Sequence, residues 1–224
     1  MEDASGKTLY KLMVKTLNQN KLNGRSDTPW RTYLDLDPDV KPAWRSLYKP
    51  PLTKKHADLQ WRILHGIVAV NSFISVINAA VEEKCPFCSQ RETVFHCFSE
   101  CSRLTALFVL LETIFSRYGE IFMKQVFICG FKYTRQQKNK CQILNFVLGQ
   151  AKMAVYVSRR RKVEEELNVD VVPVFVRMVK SRLLVEFSFY RAAHDLETFQ
   201  LIWGYGGVLC SVIDGQLSFG HVLM

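Results

Sequence analysis

The sequence predicts a mainly α-helical protein carrying a small Cys-Cys-His-Cys zinc-binding turn and a C-terminal β-hairpin. Three observations lead there. Apolar residues recur at helical spacing in several separate stretches. A compact run of cysteines and one histidine interrupts them near the middle of the chain. Close to the C-terminus, Asp214-Gly215 separates two short runs and fits a two-residue hairpin turn.

The elements follow in order. Leu9, Leu12, Met13 and Leu17 predict a helix near the start. Isolated tryptophans and the Pro50-Pro51 pair then read as irregular chain. A helix is expected over about residues 56–77, with Leu59, Ile63, Ile67, Val70 and Ile74 on one face. Another is expected over 102–118, where Leu104, Leu107, Phe108, Leu111, Ile114 and Phe115 point inward and Gly119 sits where a helix-terminating glycine belongs. The longest spans about 137–165, with Leu144, Val147, Leu148, Ala151, Ala154 and Val155 as its apolar stripe. Asp170 is placed to cap a helix carrying Pro173 in its first turn. A short helix follows over 195–203. Three regions result: an N-terminal arm (1–57), a zinc-binding helical domain (58–118) and a basic helical region (119–224).

About half of the 224 residues are apolar, enough for one substantial core or two modest ones. No run of about 18 apolar residues suggests a membrane span. The opening Met1-Glu2-Asp3-Ala4-Ser5 is acidic rather than secretory in character. The protein is therefore expected inside the cell, in nucleus or cytoplasm, where seven cysteines would not be used for disulfides.

Metal binding is the better use for the clustered ones. Cys85-Pro86-Phe87-Cys88 is followed after seven residues by His96 and after four more by Cys101. Three thiolates and one imidazole satisfy the tetrahedral preference of zinc and leave no position open for a catalytic water. The expected cofactor is one structural Zn2+. Cys97, beside His96, is the alternative fourth ligand; His96 is the expected ligand and Cys97 a packed residue. Cys129, Cys141 and Cys210 stand alone and read as small core hydrophobes.

The net charge is +9, and its distribution is uneven. Ten cations fall between Lys124 and Lys162 with no Asp or Glu among them. That pattern points to a polyanion partner. The candidate phosphate contacts are Arg91 beside the metal turn, then Lys132, Arg135, Lys138, Lys140, Lys152, Arg159, Arg160, Arg161 and Lys162. Lys138, Lys152 and Arg159 are separated by nearly whole numbers of turns and are expected on one exposed side of the long helix. RNA or single-stranded DNA is the expected ligand. The alternative is a zinc-stabilised protein-interaction module. No catalytic residues are assigned: the chain holds no Asp-Asp pair for a two-metal polymerase site and no phosphate-binding loop. No membrane and no small-molecule substrate is expected as a partner.

The metal cluster, Trp61-Arg62-Ile63-Leu64-His65-Gly66 and Val94-Phe95-His96-Cys97-Phe98 resemble the C-terminal zinc-binding region of LINE-type retrotransposon reverse transcriptases. So do the segments 44–51, 148–152 and 202–208. The resemblance covers nearly the whole chain. It implies a region lying beyond the polymerase, helping to bind the element's RNA and target DNA. It also implies a fragment or remnant that starts downstream of the catalytic centre. The middle spacer is longer than in the retroviral nucleocapsid knuckle, so that knuckle's docking mode does not transfer.

Overall fold

The structure is a computed structural model describing residues 28–46, 49–132 and 134–224. The helix expected near residues 9–17 lies outside them. In chain order the described helices are α1 (Trp30–Tyr33), α2 (Lys54–Leu64), α3 (Asn71–Ile77), α4 (Thr105–Arg117), α5 (Lys124–Cys129), α6 (Lys138–Glu164), α7 (Val171–Ala192) and α8 (Leu196–Ile202). Strands β1 (Cys210–Ile213) and β2 (Gln216–Phe219) close the chain.

Helix α6 is the axis. Every residue from Ile143 to Val155 except Asn145 and Met153 is buried, so the helix is covered on most sides rather than along one stripe. It packs along α7 and across α2. Gly149 marks a close approach: a Cβ there would run into the side chain of Leu52, which follows the Pro50-Pro51 pair. That glycine lets the turn before α2 lie directly on α6.

The single helix expected over 56–77 is two. Helix α2 stops at Leu64, and Gly66 adopts φ +66°. Ile67 N donates to Arg62 O at 3.0 Å and Gly66 N to Ile63 O at 3.0 Å, the paired bonds of a Schellman ending. Two distant residues satisfy the last carbonyls: the Trp30 indole donates to Ile63 O at 2.8 Å, and the Thr28 hydroxyl to Leu64 O at 2.5 Å. Helix α5 has no counterpart in the sequence reading; it is six residues long between two glycines and shows too little periodicity to be seen.

Asp170 stands at the N-cap of α7 with Pro173 in the first turn, as the sequence predicts, but its side chain makes no capping hydrogen bond. Gly119 ends α4 at φ +69°. The Asp195 carboxylate accepts from Thr198 N at 3.2 Å and caps α8. Asp214 and Gly215, at φ 51° and 72°, form the hairpin turn, pairing Val212 with Leu217 and Ile213 with Gln216. Among the described residues, no helix is long and apolar enough to cross a membrane.

Lys152 is where the charge expectation departs from the structure. It is 3% exposed, not on an outer face, because α2 covers the side of α6 opposite its apolar stripe. Its ammonium donates to the Gln60 side-chain carbonyl, and Gln60 Nε2 donates to Ile128 O at 2.6 Å. The relay ties α2, α5 and α6 together through a buried polar path. Burial pulls the Lys152 pKa down to about 7.

The unfolded chain keeps that amine near its ordinary value of about 10.4. Between about pH 7 and 10 the unfolded state therefore holds more protons, and stability rises with pH across that window. Lys152→Met should raise stability at pH 7 and remove this increment. Urea denaturation of both proteins at several pH values checks it; parallel profiles would show that Lys152 does not lose its proton on folding.

Candidate metal centre

The metal turn is a short antiparallel contact with a tight loop at its tip. Lys84 and Arg91 face each other as a bridge. Cys85 N donates to Gln90 O at 2.7 Å and Ser89 N to Cys85 O at 3.1 Å, with Ser89 at φ 61°. This loop turns the Cys85 and Cys88 thiols toward one point. Backbone amides of Phe87 and Cys88 also bond to the Cys85 sulfur.

His96 and Cys101 come from the far side, on a wide turn of π type over His96–Glu100. Thr93 opens that turn by accepting from His96 N at 3.0 Å, and Cys101 N donates to His96 O at 2.9 Å. The four ligand atoms all lie within 4.8 Å of one another. Cys85 Sγ and Cys88 Sγ each lie 3.8 Å from Cys101 Sγ, and His96 Nε2 lies 3.1 Å from Cys88 Sγ. Zinc–sulfur bonds of about 2.3 Å at tetrahedral angles place sulfurs roughly 3.7 Å apart. The donor set and its spacing fit zinc, and its four positions are all supplied by protein.

A hydrogen bond shared between the two sulfurs lowers the Cys85 thiol and raises that of Cys101. Cys97 stands apart. It is buried in the core, and burial pushes its thiol up to about 12, so it stays a neutral packed group outside the ligand cluster.

Residues that the sequence did not single out hold the site in place. The Glu100 carboxylate lies 3.7 Å from His96 Nδ1, the nitrogen turned away from Cys88, and leaves Nε2 to serve as ligand. The Tyr33 hydroxyl donates to Glu100, and its ring stacks on Phe95 with centroids 4.3 Å apart. Trp30 meets Phe95 edge-on at 4.7 Å. Glu100 sits four residues after His96, a helical pairing distance, whereas Tyr33 and Trp30 lie more than sixty residues upstream with no sequence spacing to mark them.

Two arginines fasten the metal turn to α6. Arg103 lies 3.9 Å above the Phe87 ring and donates to Ser158 Oγ at 3.0 Å and Val155 O at 3.2 Å. Arg159 grips Glu92 with two bonds of 2.7 and 2.6 Å and donates to Asn71 Oδ1 at 2.9 Å. Glu92 in turn accepts from Asn71 N at 2.7 Å, at the start of α3.

The basic candidates therefore divide. Arg159, expected on an exposed face, is 6% exposed because Glu92 holds it inside. Lys140 is taken by Glu120 in an ion pair. Arg91 is exposed and paired with Glu83 at 2.6 Å, and Arg160 faces Glu164 at 3.4 Å. Arg161 and Lys162 are half-buried. Lys132, Arg135 and Lys138 are exposed, with no ion-pair partner among the described residues.

Residues 25–107 match the protein family described as zinc-binding in reverse transcriptase. Over 221 residues, 99% of this chain, the sequence is 31% identical to the Transposon TX1 uncharacterized 149 kDa protein of Xenopus laevis. The chain spans 17% of that protein's length. No solved structure matches.

Elemental analysis of the purified chain should find one zinc per molecule. Cys85→Ser and Cys101→Ser should lower that to below about a tenth, while Cys97→Ser keeps it. Retention in His96→Gln with loss in Cys97→Ser would reassign the fourth ligand. Separately, Glu92→Gln leaves the buried Arg159 charge uncompensated and should destabilise the zinc-loaded protein by about 3–5 kcal/mol in urea. A loss under about 1 kcal/mol would mean the pair behaves as a solvated surface contact.

Proposed function

The chain carries a zinc-binding region of the reverse-transcriptase kind and resembles a transposon protein of the LINE type over almost its whole length, and from that premise we propose that it binds RNA or single-stranded nucleic acid. Zinc fixes a turn too small to hold itself by apolar burial. The surrounding helices then offer cations to phosphates.

The observation that carries this reading is the exposed trio Lys132, Arg135 and Lys138, in the segment that leads into α6 and at its first residue. Lys132 and Lys41 line the same groove, about 330 Å³ in volume, with Gln125, Thr134, Gln137 and the half-buried Phe131. Lysines beside amide and hydroxyl groups suit a sugar-phosphate backbone, and an aromatic edge gives a base something to contact. Its acidic member, Glu120, is already neutralised by Lys140. Recognition is then electrostatic and shape-led, with little base readout. The chain lacks adjacent aspartates suited to two metals, so its contribution is binding rather than chemistry.

Each phosphate contact contributes about 0.7 to the salt slope for a single strand. Replacing Lys132, Arg135 and Lys138 by Ala should therefore flatten the slope by about 2, with zinc content unchanged. Fluorescence anisotropy with RNA, single-stranded DNA and duplex DNA across a salt series measures it. Slope and affinity untouched by the triple substitution would sink the proposal for this surface.

A further inference from the structure

Helix α7 keeps part of its apolar surface uncovered. Its inner face buries Val171, Val174, Phe175, Val179, Leu183 and Phe187. A second line, Val172, Val176 and Leu184, faces Leu110 of α4 and the C-terminal residues Val222 and Met224 across an open groove of about 630 Å³. Leu184 is 49% exposed and Met224 85% exposed. A lined apolar groove of this size is more than the scattered exposed apolar residues found on any surface.

The groove has a shape and a sign. From Val172 to Leu184 it follows α7 over thirteen residues, about 18 Å of helix. That length matches a partner helix of about three turns laid along it. The charged side chains lining it are Arg177 and Lys180, both cations. Lys180 lies over the Phe219 ring of the hairpin, 5.2 Å from its centroid. The nearest acidic residue along this part of α7, Glu186, is paired with Arg182 at 2.5 Å.

From this geometry we infer that the groove docks an acidic amphipathic helix of another protein segment. The partner's apolar residues fill the space between α7 and the C-terminal turn, and its carboxylates meet Arg177 and Lys180. A second copy is the wrong occupant: a twofold contact through this groove sets Arg177 and Lys180 against themselves. Residues 1–27 are also mismatched, since their cations outnumber their acidic residues five to three.

The test uses the zinc-loaded full chain and a labelled synthetic helix of about 14 residues with Leu and Glu at amphipathic spacing. Its twin carries Lys in place of Glu. The acidic peptide should bind in the micromolar range, and the basic twin at least about tenfold more weakly. R177E together with K180E should reverse that preference. Leu184→Asp should weaken acidic-peptide binding by about tenfold, while Val185→Asp, on the exposed side of α7 outside the groove, should not. Circular dichroism verifies that each variant is folded. Failure of the acidic peptide to bind up to about 1 mM, equal binding of both peptides, or equal damage from Leu184→Asp and Val185→Asp would overturn the inference. So would a dimer in sedimentation that Leu184→Asp dissolves.

Discussion

The buried grip of Arg159 on Glu92 is the contact on which the arrangement of the molecule depends. The two residues stand 67 positions apart, one near the end of the longest helix and one at the base of the metal turn. Removing both charges from water is costly, and such a pair persists only when nearly every donor and acceptor is used. Here the carboxylate takes two guanidinium bonds and the Asn71 amide, while Asn71 Oδ1 takes a further guanidinium bond. The Asn71 side-chain Nδ2 also donates to Lys84 O at 2.7 Å, directly before Cys85. One ionic contact thus sets the start of α3, the base of the cysteine loop and the tilt of that loop on α6. Arg103 adds a second attachment to α6, bound to Ser158, the residue before Arg159, and to Val155 O one turn earlier.

This arrangement changes what the chain's positive charge can do. A net charge of +9 concentrated between Lys124 and Lys162 invites the picture of one basic helix face. The core takes Lys152 and Arg159 out of that set, and Glu120 takes Lys140. Besides Lys124 in α5, what is left forms two groups: Lys132, Arg135 and Lys138 leading into α6, and Arg160 to Lys162 near its end. Along the helix, Lys138 and the Arg160–Lys162 group are separated by about 35 Å. At ordinary ionic strength the Debye length is about 8 Å, so the two clusters act as independent sites. A polyanion that engages both has to be long enough to cross the helix, and one that is short uses a single end.

Local chemistry was readable from sequence, and long-range partnership was not. Cys85, Cys88, His96 and Cys101 stood out because coordination imposes residue type and spacing together. Asp214-Gly215 was legible for the same reason: a turn is decided within a few residues, whereas the capping bond expected at Asp170 is absent and the one made is at Asp195. The break at Gly66 was not, since Ile67, Val70 and Ile74 continue the apolar spacing past it, and the groups that cap α2, Thr28 and Trp30, lie more than thirty residues upstream. Lys152 and Arg159 failed in the same way. Periodicity locates one buried stripe, but it cannot show that a second helix covers the opposite side, and nothing near Gln60 or Glu92 marks them as partners.

The wide turn at His96–Glu100 explains why the ligand spacing works and why Cys97 is left out. Each α-helical residue turns the chain by about 100°, so two residues five apart end up about 140° from alignment. His96 and Cys101, in a regular α-helix, would point to different sides. The bond from Cys101 N to His96 O spans five residues and widens the turn by one position. That extra residue brings the Cys101 side chain back over His96, so both reach the sulfurs of the cysteine loop. Cys97, one step further round, is carried into the core beside Arg103, where low dielectric keeps its thiol protonated. The discrimination between two adjacent metal-capable residues is therefore a matter of backbone winding. A four-residue spacer between His and Cys meets the tetrahedral demand of zinc only because the helix is overwide at that turn.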